Sequence, residues 1–201
     1  QLQTHLHWGK LYILQGRFPE STQKYQEGLA LARTEQHQEG IISCLVELGV
    51  LSDYEEQYEA EVTTLAESLT DLWLQRSAYS FLGAVSIRHG RYQNTCTYWQ
   101  KSLDISLALE DWYSVASYYN NLGDAFREFG KFAEAEASFQ QATALAQSLH
   151  NEITQMAILE GWARLDVVRG EYHQAVERAQ ETIRLAKLYD RQFVEQLGLS
   201  C

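Results

Sequence analysis

Tyr119 to Ala142, which reads YNNLGDAFREFGKFAEAEASFQQA, is the stretch that decides the fold. Large apolar residues and one glycine recur at helical spacing in its first half, and a second apolar stripe follows Gly130. Glycine at such a break predicts a turn, because it takes a positive φ at a helix C-terminus without steric cost. The stretch is therefore predicted to form two amphipathic helices joined into a hairpin, neither of which can bury its apolar stripe alone.

The same unit recurs along the chain. A glycine followed by a charged and then an aromatic residue occurs at Gly16, Gly90, Gly130 and Gly170, and the last three glycines are 40 residues apart. Seven residues before each turn lies a small residue preceded by a large one, and we expect the small residue to let its helix approach a neighbour closely. These pairs are Trp8-Gly9, Leu48-Gly49, Leu82-Gly83, Leu122-Gly123 and Trp162-Ala163. Five copies of one spacing indicate a repeat protein.

The pattern resembles the tetratricopeptide repeat, whose signature is W-x2-L-G-x2-Y followed by A-x3-F. Here Tyr119 stands in place of the tryptophan and Phe126 in place of the tyrosine. The resemblance implies an all-α, right-handed solenoid of about five helical hairpins plus part of a sixth, whose first helices line a concave side where ligands bind. The spacing of about 40 residues, longer than the basic 34, is similar to that of repeats in bacterial regulators and scaffolds.

Ten helices are predicted from the apolar periodicity, with a further one that begins near Arg191. The expected ranges are 2–15 and 18–34, 39–53 and 56–69, 72–89 and 92–109, 112–129 and 132–149, and 152–169 and 172–188. The second unit has no turn glycine, which predicts a distorted turn at Tyr54–Tyr58.

No linker divides the chain, so we expect 1–201 to be one solenoid domain, with units at about 2–34, 39–69, 72–109, 112–149 and 152–188 and a partial helix at 191–201. Because the sequence starts inside a helical pattern without methionine, we expect a fragment of a larger protein.

Composition and charge exclude several classes of partner. A net charge of −11 and a pI near 5.0 disfavour nucleic acid, because phosphate binding depends on clustered Lys and Arg. The longest apolar runs are too short to span a bilayer, so a membrane is not expected. Cys44, Cys96 and Cys201 are odd in number and lack C-x2-C spacing, which disfavours disulfides and zinc. A reducing, cytoplasmic location follows as the expectation.

The chain carries no recognised catalytic or cofactor motif. H-E-x-x-H, G-x-S-x-G and G-x-x-x-x-G-K-[ST] are missing, and no histidine lies three or four residues from another. We therefore expect no enzyme activity, no catalytic residues, no metal and no cofactor.

The five tryptophans invite comparison with a ligand cage, but their positions favour packing. Trp8, Trp99 and Trp162 occupy repeat positions that should face a neighbouring helix. Trp73 and Trp112 lie near the starts of first helices, where exposure is the alternative to packing.

The groove that the resemblance implies supplies the candidate binding residues. An apolar floor is expected in the first three units and a polar, charged wall in the last two, where Asn and Arg could bind a peptide backbone or a carboxylate. A terminal EEVD-type ligand is not expected, because the Lys, Asn and Arg of that family clamp are not matched in successive units. The candidate ligand-binding residues are Lys10, Val50, Asp53, Arg88, Asn120, Asp124, Arg127, Glu160 and Arg164.

The functional prediction is recognition without catalysis. A protein, a peptide or another domain of the same polypeptide would bind in the groove, as in the sensor or scaffold arm of a multidomain signalling protein. Two alternatives stay open: an architectural homodimer formed through exposed solenoid ends, and sensing of a small molecule in the groove.

Overall fold

The computed structural model describes residues 1–51 and 55–196, and ten α-helices without strands make up this described part. The helices are α1 (Leu2–Leu14), α2 (Phe18–Thr34), α3 (Gln38–Leu51), α4 (Glu55–Ser68), α5 (Leu72–Arg88), α6 (Tyr92–Ala108), α7 (Trp112–Glu128), α8 (Phe132–Ser148), α9 (Glu152–Arg169) and α10 (Tyr172–Gln196). They form successive helical hairpins, and the all-α solenoid predicted from the repeat pattern is confirmed.

One predicted boundary is wrong. Helix α10 continues through Gln196, whereas the sequence pattern placed an end at Leu188 and a separate helix from Arg191. The sequence between these positions contains neither glycine nor proline, so nothing in it ends the helix. The predicted distortion of the second unit's turn starts at Tyr54, which lies outside the described residues.

The turns within the hairpins are made by glycines in the left-handed region. Gly16, Gly90, Gly130 and Gly170 have φ values of 70°, 66°, 71° and 78°, so the role predicted for them is confirmed. The turns between hairpins use other residues. Gln36, Glu110 and His150 take φ values of 54°, 54° and 50° there.

Three of the following helices start with a side-chain cap that sequence reading missed. Asp71, Asp111 and Asn151 each accept a hydrogen bond from the backbone N–H three residues later, at 3.1, 3.2 and 3.1 Å. These residues are spaced by 40, like the turn glycines, so the sequence did contain the signal.

The glycines among the small residues of the first helices lie against aromatic rings, which agrees with the close approach predicted for them. A Cβ atom added to Gly9 would lie 2.6 Å from Tyr25 Cζ, and one added to Gly123 would lie 2.6 Å from Phe139 Cε1. A side chain at either position would therefore collide with the ring. Close approach between helices is what these glycines provide.

The chain divides into two compact units, residues 1–105 and residues from 106 onward. In the first unit, large residues such as Tyr25, Leu48 and Leu82 are fully buried. In the second, Phe139 is fully buried among small residues and Trp162. The prediction of a single domain stays a prediction.

The tryptophans divide by exposure. Trp99 and Trp162 are 7% and 8% exposed, so their predicted packing is confirmed. Trp8 is 45% exposed, and its predicted packing against a neighbouring helix is wrong: its ring lies beside that of Tyr12 in the same helix, with the ring centroids 5.6 Å apart. Trp73 and Trp112 are also exposed, and both lie in the first turn of their helices, after the capping residues Asp71 and Asp111.

Arginines near two turn glycines connect adjacent hairpins. Arg91 donates to a carboxylate oxygen of Glu59 in α4 at 2.7 Å. Arg169 donates to Glu136 at 2.9 Å and to the backbone oxygen of Phe132 at 3.0 Å, both in α8. The turn that ends one helix is thereby attached to the hairpin before it.

Candidate functional site

In the compact unit of residues 1–105, the first helices of three successive hairpins line one cleft. It has a cavity volume of about 440 Å³ and lies between α1, α3 and α5. We name it the first cleft. Its lining residues are Gln3, Leu6, His7, Lys10, Glu39, Ile42, Ser43, Val46, Glu47, Asp71, Trp73, Leu74 and Ser77.

The first cleft has an apolar floor and a charged rim. Ile42 is fully buried and Val46 is half-buried, whereas Lys10, Glu39 and Asp71 are exposed. Apolar residues therefore form the floor, as expected for the first three repeats. The rim is charged, however, and charged residues were expected only in the last two repeats. With Glu47, the lining has three carboxylates and one lysine, so its charge balance is negative.

Trp73 gives the rim an aromatic surface. Its ring is 55% exposed, and the guanidinium carbon of Arg76 lies 4.5 Å from the ring centroid. The ring is therefore already in contact with one cation, which is the geometry of a cation–π interaction.

The nucleophilic side chains near α3 are buried and neutral. Cys44 is fully buried, and burial raises the pKa of its thiol to about 11. Tyr25 is fully buried under Gly9, and burial, followed by the charge of Glu47, raises the pKa of its phenol. Neither group is presented in an ionised, reactive form.

Four of the predicted residues meet in the second unit as a charged cluster, which we define as Asp124, Arg127, Glu128, Glu160 and Arg164. Arg127 donates to Asp124 at 3.2 and 3.3 Å and to Glu128 at 2.7 Å. Arg164 contacts Glu160 and lies 3.9 Å from a carboxylate oxygen of Asp124. The cluster joins α7 to α9.

Burial and the arginines act on Asp124 in opposite directions. Burial raises the pKa of its carboxyl above the ordinary value, whereas Arg127 and Arg164 lower it. Burial is the larger effect, so the carboxylate is held in a partly desolvated position.

The remaining predicted residues lie apart from these groups. Asn120 is only 9% exposed, and its amide oxygen lies against Gly161, so its amide belongs to the packing between α7 and α9. Arg88 is exposed at the end of α5. Val50 lies in α3, although its side chain falls outside the description, and Asp53 lies outside the described residues.

A second concave surface lies between α9 and α10. It has a cavity volume of about 600 Å³, and we name it the α9–α10 hollow. Sequence reasoning did not predict it as a separate feature. Its lining is apolar except at one end and consists of Arg127, Glu160, Ala163, Arg164, Val167, Val168, Tyr172, Ala175, Val176 and Ala179.

Within the described residues, no group of three His, Cys, Asp or Glu side chains could hold a metal ion. None of the helices in this part of the chain combines the length and apolar character that crossing a membrane requires.

Comparison with known families agrees with this geometry. Residues 74–148 match the model of the tetratricopeptide repeat family. This part of the chain consists of tetratricopeptide repeats. The matched residues run from α5 to the end of α8, so they include the stretch from Tyr119 to Ala142 that shows the pattern most clearly. No curated protein sequence matches the chain.

Solved tetratricopeptide structures share the fold over nearly the whole chain. The nearly identical repeats of a protein described as a kinesin light chain of Podosopora anserina match with a TM-score of 0.68 and 15% identity, covering 94% of this chain and 96% of that one. A double mutant of MamA RS-1 matches with a TM-score of 0.64 and 16% identity, covering 94% and 97%. A thermophilic repeat protein of Thermus thermophilus matches with a TM-score of 0.62 and 16% identity, covering 99% and 98%. At these identities the likeness concerns the fold alone.

Proposed function

We propose that the chain is a non-catalytic protein-recognition module that holds an extended segment of a partner protein in the first cleft. The observation that carries the proposal is that α1, α3 and α5, from three successive hairpins, line one continuous cleft. Tetratricopeptide repeats are protein-interaction modules, which supports the same reading. A preformed stack presents side chains at fixed spacing, so binding requires little ordering of the receptor.

The chemistry of the first cleft selects the kind of segment. Its floor, which includes Ile42 and Val46, takes apolar side chains, and each one buried contributes about 1.5–3 kcal/mol. The carboxylates of Glu39, Glu47 and Asp71 outnumber Lys10, so a Lys or Arg in the segment is favoured over Asp or Glu. The partner segment is therefore apolar with at least one basic residue.

The charged cluster of the second unit is a secondary candidate for the same function. Arg164 is 51% exposed, whereas Arg127 is 12% exposed and paired with two carboxylates. Arg164 is thus the better placed to bind a carboxylate or a backbone oxygen of a partner, in exchange for its contact with Glu160.

The wider role proposed is that of a sensor or scaffold arm in a cytoplasmic signalling protein, with proteins rather than nucleic acids as partners. The net charge of −11 supports the second part of this statement, because it opposes binding to phosphate.

Peptide binding tests the proposal directly. Arrays of synthetic peptides of about nine residues, which span about 30 Å when extended, are probed with the wild-type protein and with Val46→Arg. Val46→Arg places a long charged side chain over the apolar floor. Wild type is expected to select apolar, basic peptides, and the variant to bind the best of them at least about tenfold more weakly.

A matched control separates cleft blockage from added charge. Ala30→Arg adds the same side chain at an exposed position of α2, which does not line the first cleft, and should leave binding unchanged. Equal binding by wild type and Val46→Arg would refute the proposal, as would selection of acidic peptides.

A further inference from the structure

The charged residues of the first cleft lie at different levels of its three helices. First helices of successive hairpins run in the same direction, so equal repeat positions lie at similar levels. Glu39 lies ten residues before Gly49, the repeat glycine of its hairpin, and Lys10 lies one residue after the corresponding Gly9. These eleven repeat positions correspond to about 16 Å along the helices. Charges so far apart on a surface are largely screened, so Lys10 does not offset the charge of Glu39.

The negative charge of the cleft is therefore concentrated at one end. Glu47 lies only three repeat positions from Lys10, about 4.5 Å along the helices, so the two charges oppose each other there. Glu39 lies at the other end, in the first turn of α3. Asp71 lies at the start of α5, where its capping bond to the backbone N–H of Leu74, at 3.1 Å, fixes its carboxylate at the rim.

Trp73 places an aromatic ring at this negative end. It lies ten residues before Gly83, so it occupies the same repeat position as Glu39, on the neighbouring first helix. Its side chain lines the cleft and is 55% exposed. The guanidinium carbon of Arg76 lies 4.5 Å from the ring centroid, but Arg76 is not among the residues that line the cleft. The part of the ring that faces the cleft is therefore not the part that Arg76 covers.

The combination of a ring and carboxylates selects one kind of cation. A guanidinium is planar, stacks on aromatic rings, donates two N–H groups to a carboxylate and is more weakly hydrated than an ammonium. Arg76 shows that this indole accepts a guanidinium. Even with the charge of Arg76 included, Glu39 and Asp71 leave this end of the cleft negative. Arginine therefore fits better than lysine.

We propose that Glu39, Asp71 and Trp73 form a subsite for an arginine side chain of the partner segment. The guanidinium stacks on the indole and donates to the two carboxylates, while apolar residues of the same segment lie over the floor at Ile42 and Val46. The proposal rests on the peptide-binding function proposed above, and it adds the register: the arginine lies at the end of the cleft where the first helices begin.

Peptides that differ at one position test the subsite. Nine-residue peptides of Leu, Ala and Ser carry a single Arg, Lys, Gln or Glu, which is moved through every position, and dissociation constants are measured by fluorescence polarisation. The best Arg peptide should bind wild type about tenfold more tightly than its Gln analogue and about threefold more tightly than its Lys analogue. Trp73→Ala should weaken the Arg peptide about tenfold but change the Gln analogue by less than about twofold.

Tyr113→Ala is the matched control. Tyr113 occupies the same repeat position, ten residues before Gly123, and is 56% exposed, but it lies in α7 of the other compact unit. Its loss should leave all dissociation constants unchanged, and circular dichroism should show the helix content of wild type in both variants.

The refuting results separate the subsite from the peptide function. Equal binding of the Arg and Gln peptides by wild type overturns the subsite, as does an equal loss of both with Trp73→Ala. A Lys peptide that binds as tightly as the Arg peptide overturns the choice of arginine. In each of these cases the peptide function stands, because Val46→Arg tests it at the apolar floor. If wild type binds no peptide of the set, the peptide function and the subsite fail together.

Discussion

Gly123→Ala should destabilise the second unit although alanine is the better helix former. Replacing a helical glycine by alanine gains about 1 kcal/mol from helix propensity. Against this, the new Cβ would lie 2.6, 2.7 and 2.9 Å from Cε1, Cδ1 and Cζ of Phe139. Phe139 is fully buried, and Gly161 of α9 lies against the same ring, since a Cβ added there would also lie 2.6 Å from it.

The magnitude follows from the lack of space for the ring to move. Overpacking a filled core costs about 1–3 kcal/mol, and a ring held between two helices belongs at the upper end of that range. After the gain in propensity is subtracted, Gly123→Ala should lower the free energy of unfolding by about 2 kcal/mol.

Urea denaturation followed by circular dichroism measures this difference. Gly28→Ala is the matched control, because an added Cβ there would meet Cys44 Sγ at 3.1 Å and other side-chain atoms at 3.3 and 3.6 Å, contacts that a small shift relieves. The control should unfold near the wild-type urea concentration. In a double-mutant cycle, Phe139→Leu should reduce the cost of Gly123→Ala. If Gly123→Ala is as stable as wild type, the argument from close approach is refuted.

Three further predictions concern ion pairs, a buried thiol and a partly buried carboxylate. Arg169→Ala should lower the free energy of unfolding by about 1–2 kcal/mol in urea denaturation, because it removes hydrogen bonds to α8. Arg184→Ala, the control, breaks an exposed ion pair within α10 and should lower the free energy of unfolding by at most about 0.5 kcal/mol. Alkylation of Cys44 by iodoacetamide at neutral pH should be at least about 100-fold slower than in the unfolded chain, because burial raises the pKa of its thiol to about 11. Mass spectrometry measures the rate, with half-buried Cys96 as the comparison. A fast reaction at Cys44 would contradict the packing of α3. The pKa of Asp124 is raised in the folded chain, so its contribution to stability is fully present below the unfolded pKa and is lost as pH rises through the folded pKa. Asp124→Asn should therefore gain stability relative to wild type as the pH rises from acid to neutral, measured by thermal unfolding against pH. A difference that shrinks with rising pH would contradict this sign.

The fold could be predicted from the sequence because its determinants are local and repeated. Helical periodicity, a turn glycine and a small residue seven positions before it recur in one order, and each has a direct structural cause. The main error, the end of α10, arose where a helix simply continues and no residue marks a boundary. The caps at Asp71, Asp111 and Asn151 were missed although their spacing of 40 was available.

The candidate sites were harder to predict, because they depend on which surfaces other helices leave uncovered. Lys10 was correctly placed on a first helix, yet the carboxylates around it come from α3 and from the start of α5, and only packing brings them together. Asn120 was expected to face a ligand, but the approach of α9 at Gly161 covers it.

What the sequence determined by itself is the set of helices, their pairing into hairpins and the positions where helices touch, because these follow from periodicity and side-chain size along a single chain. What only the tertiary structure decided is where concave surfaces remain, namely the first cleft between α1, α3 and α5 and the α9–α10 hollow. The physical reason is that the volume of a cavity depends on the distance between helices, which is decided when the helices pack and does not appear in the periodicity of the sequence.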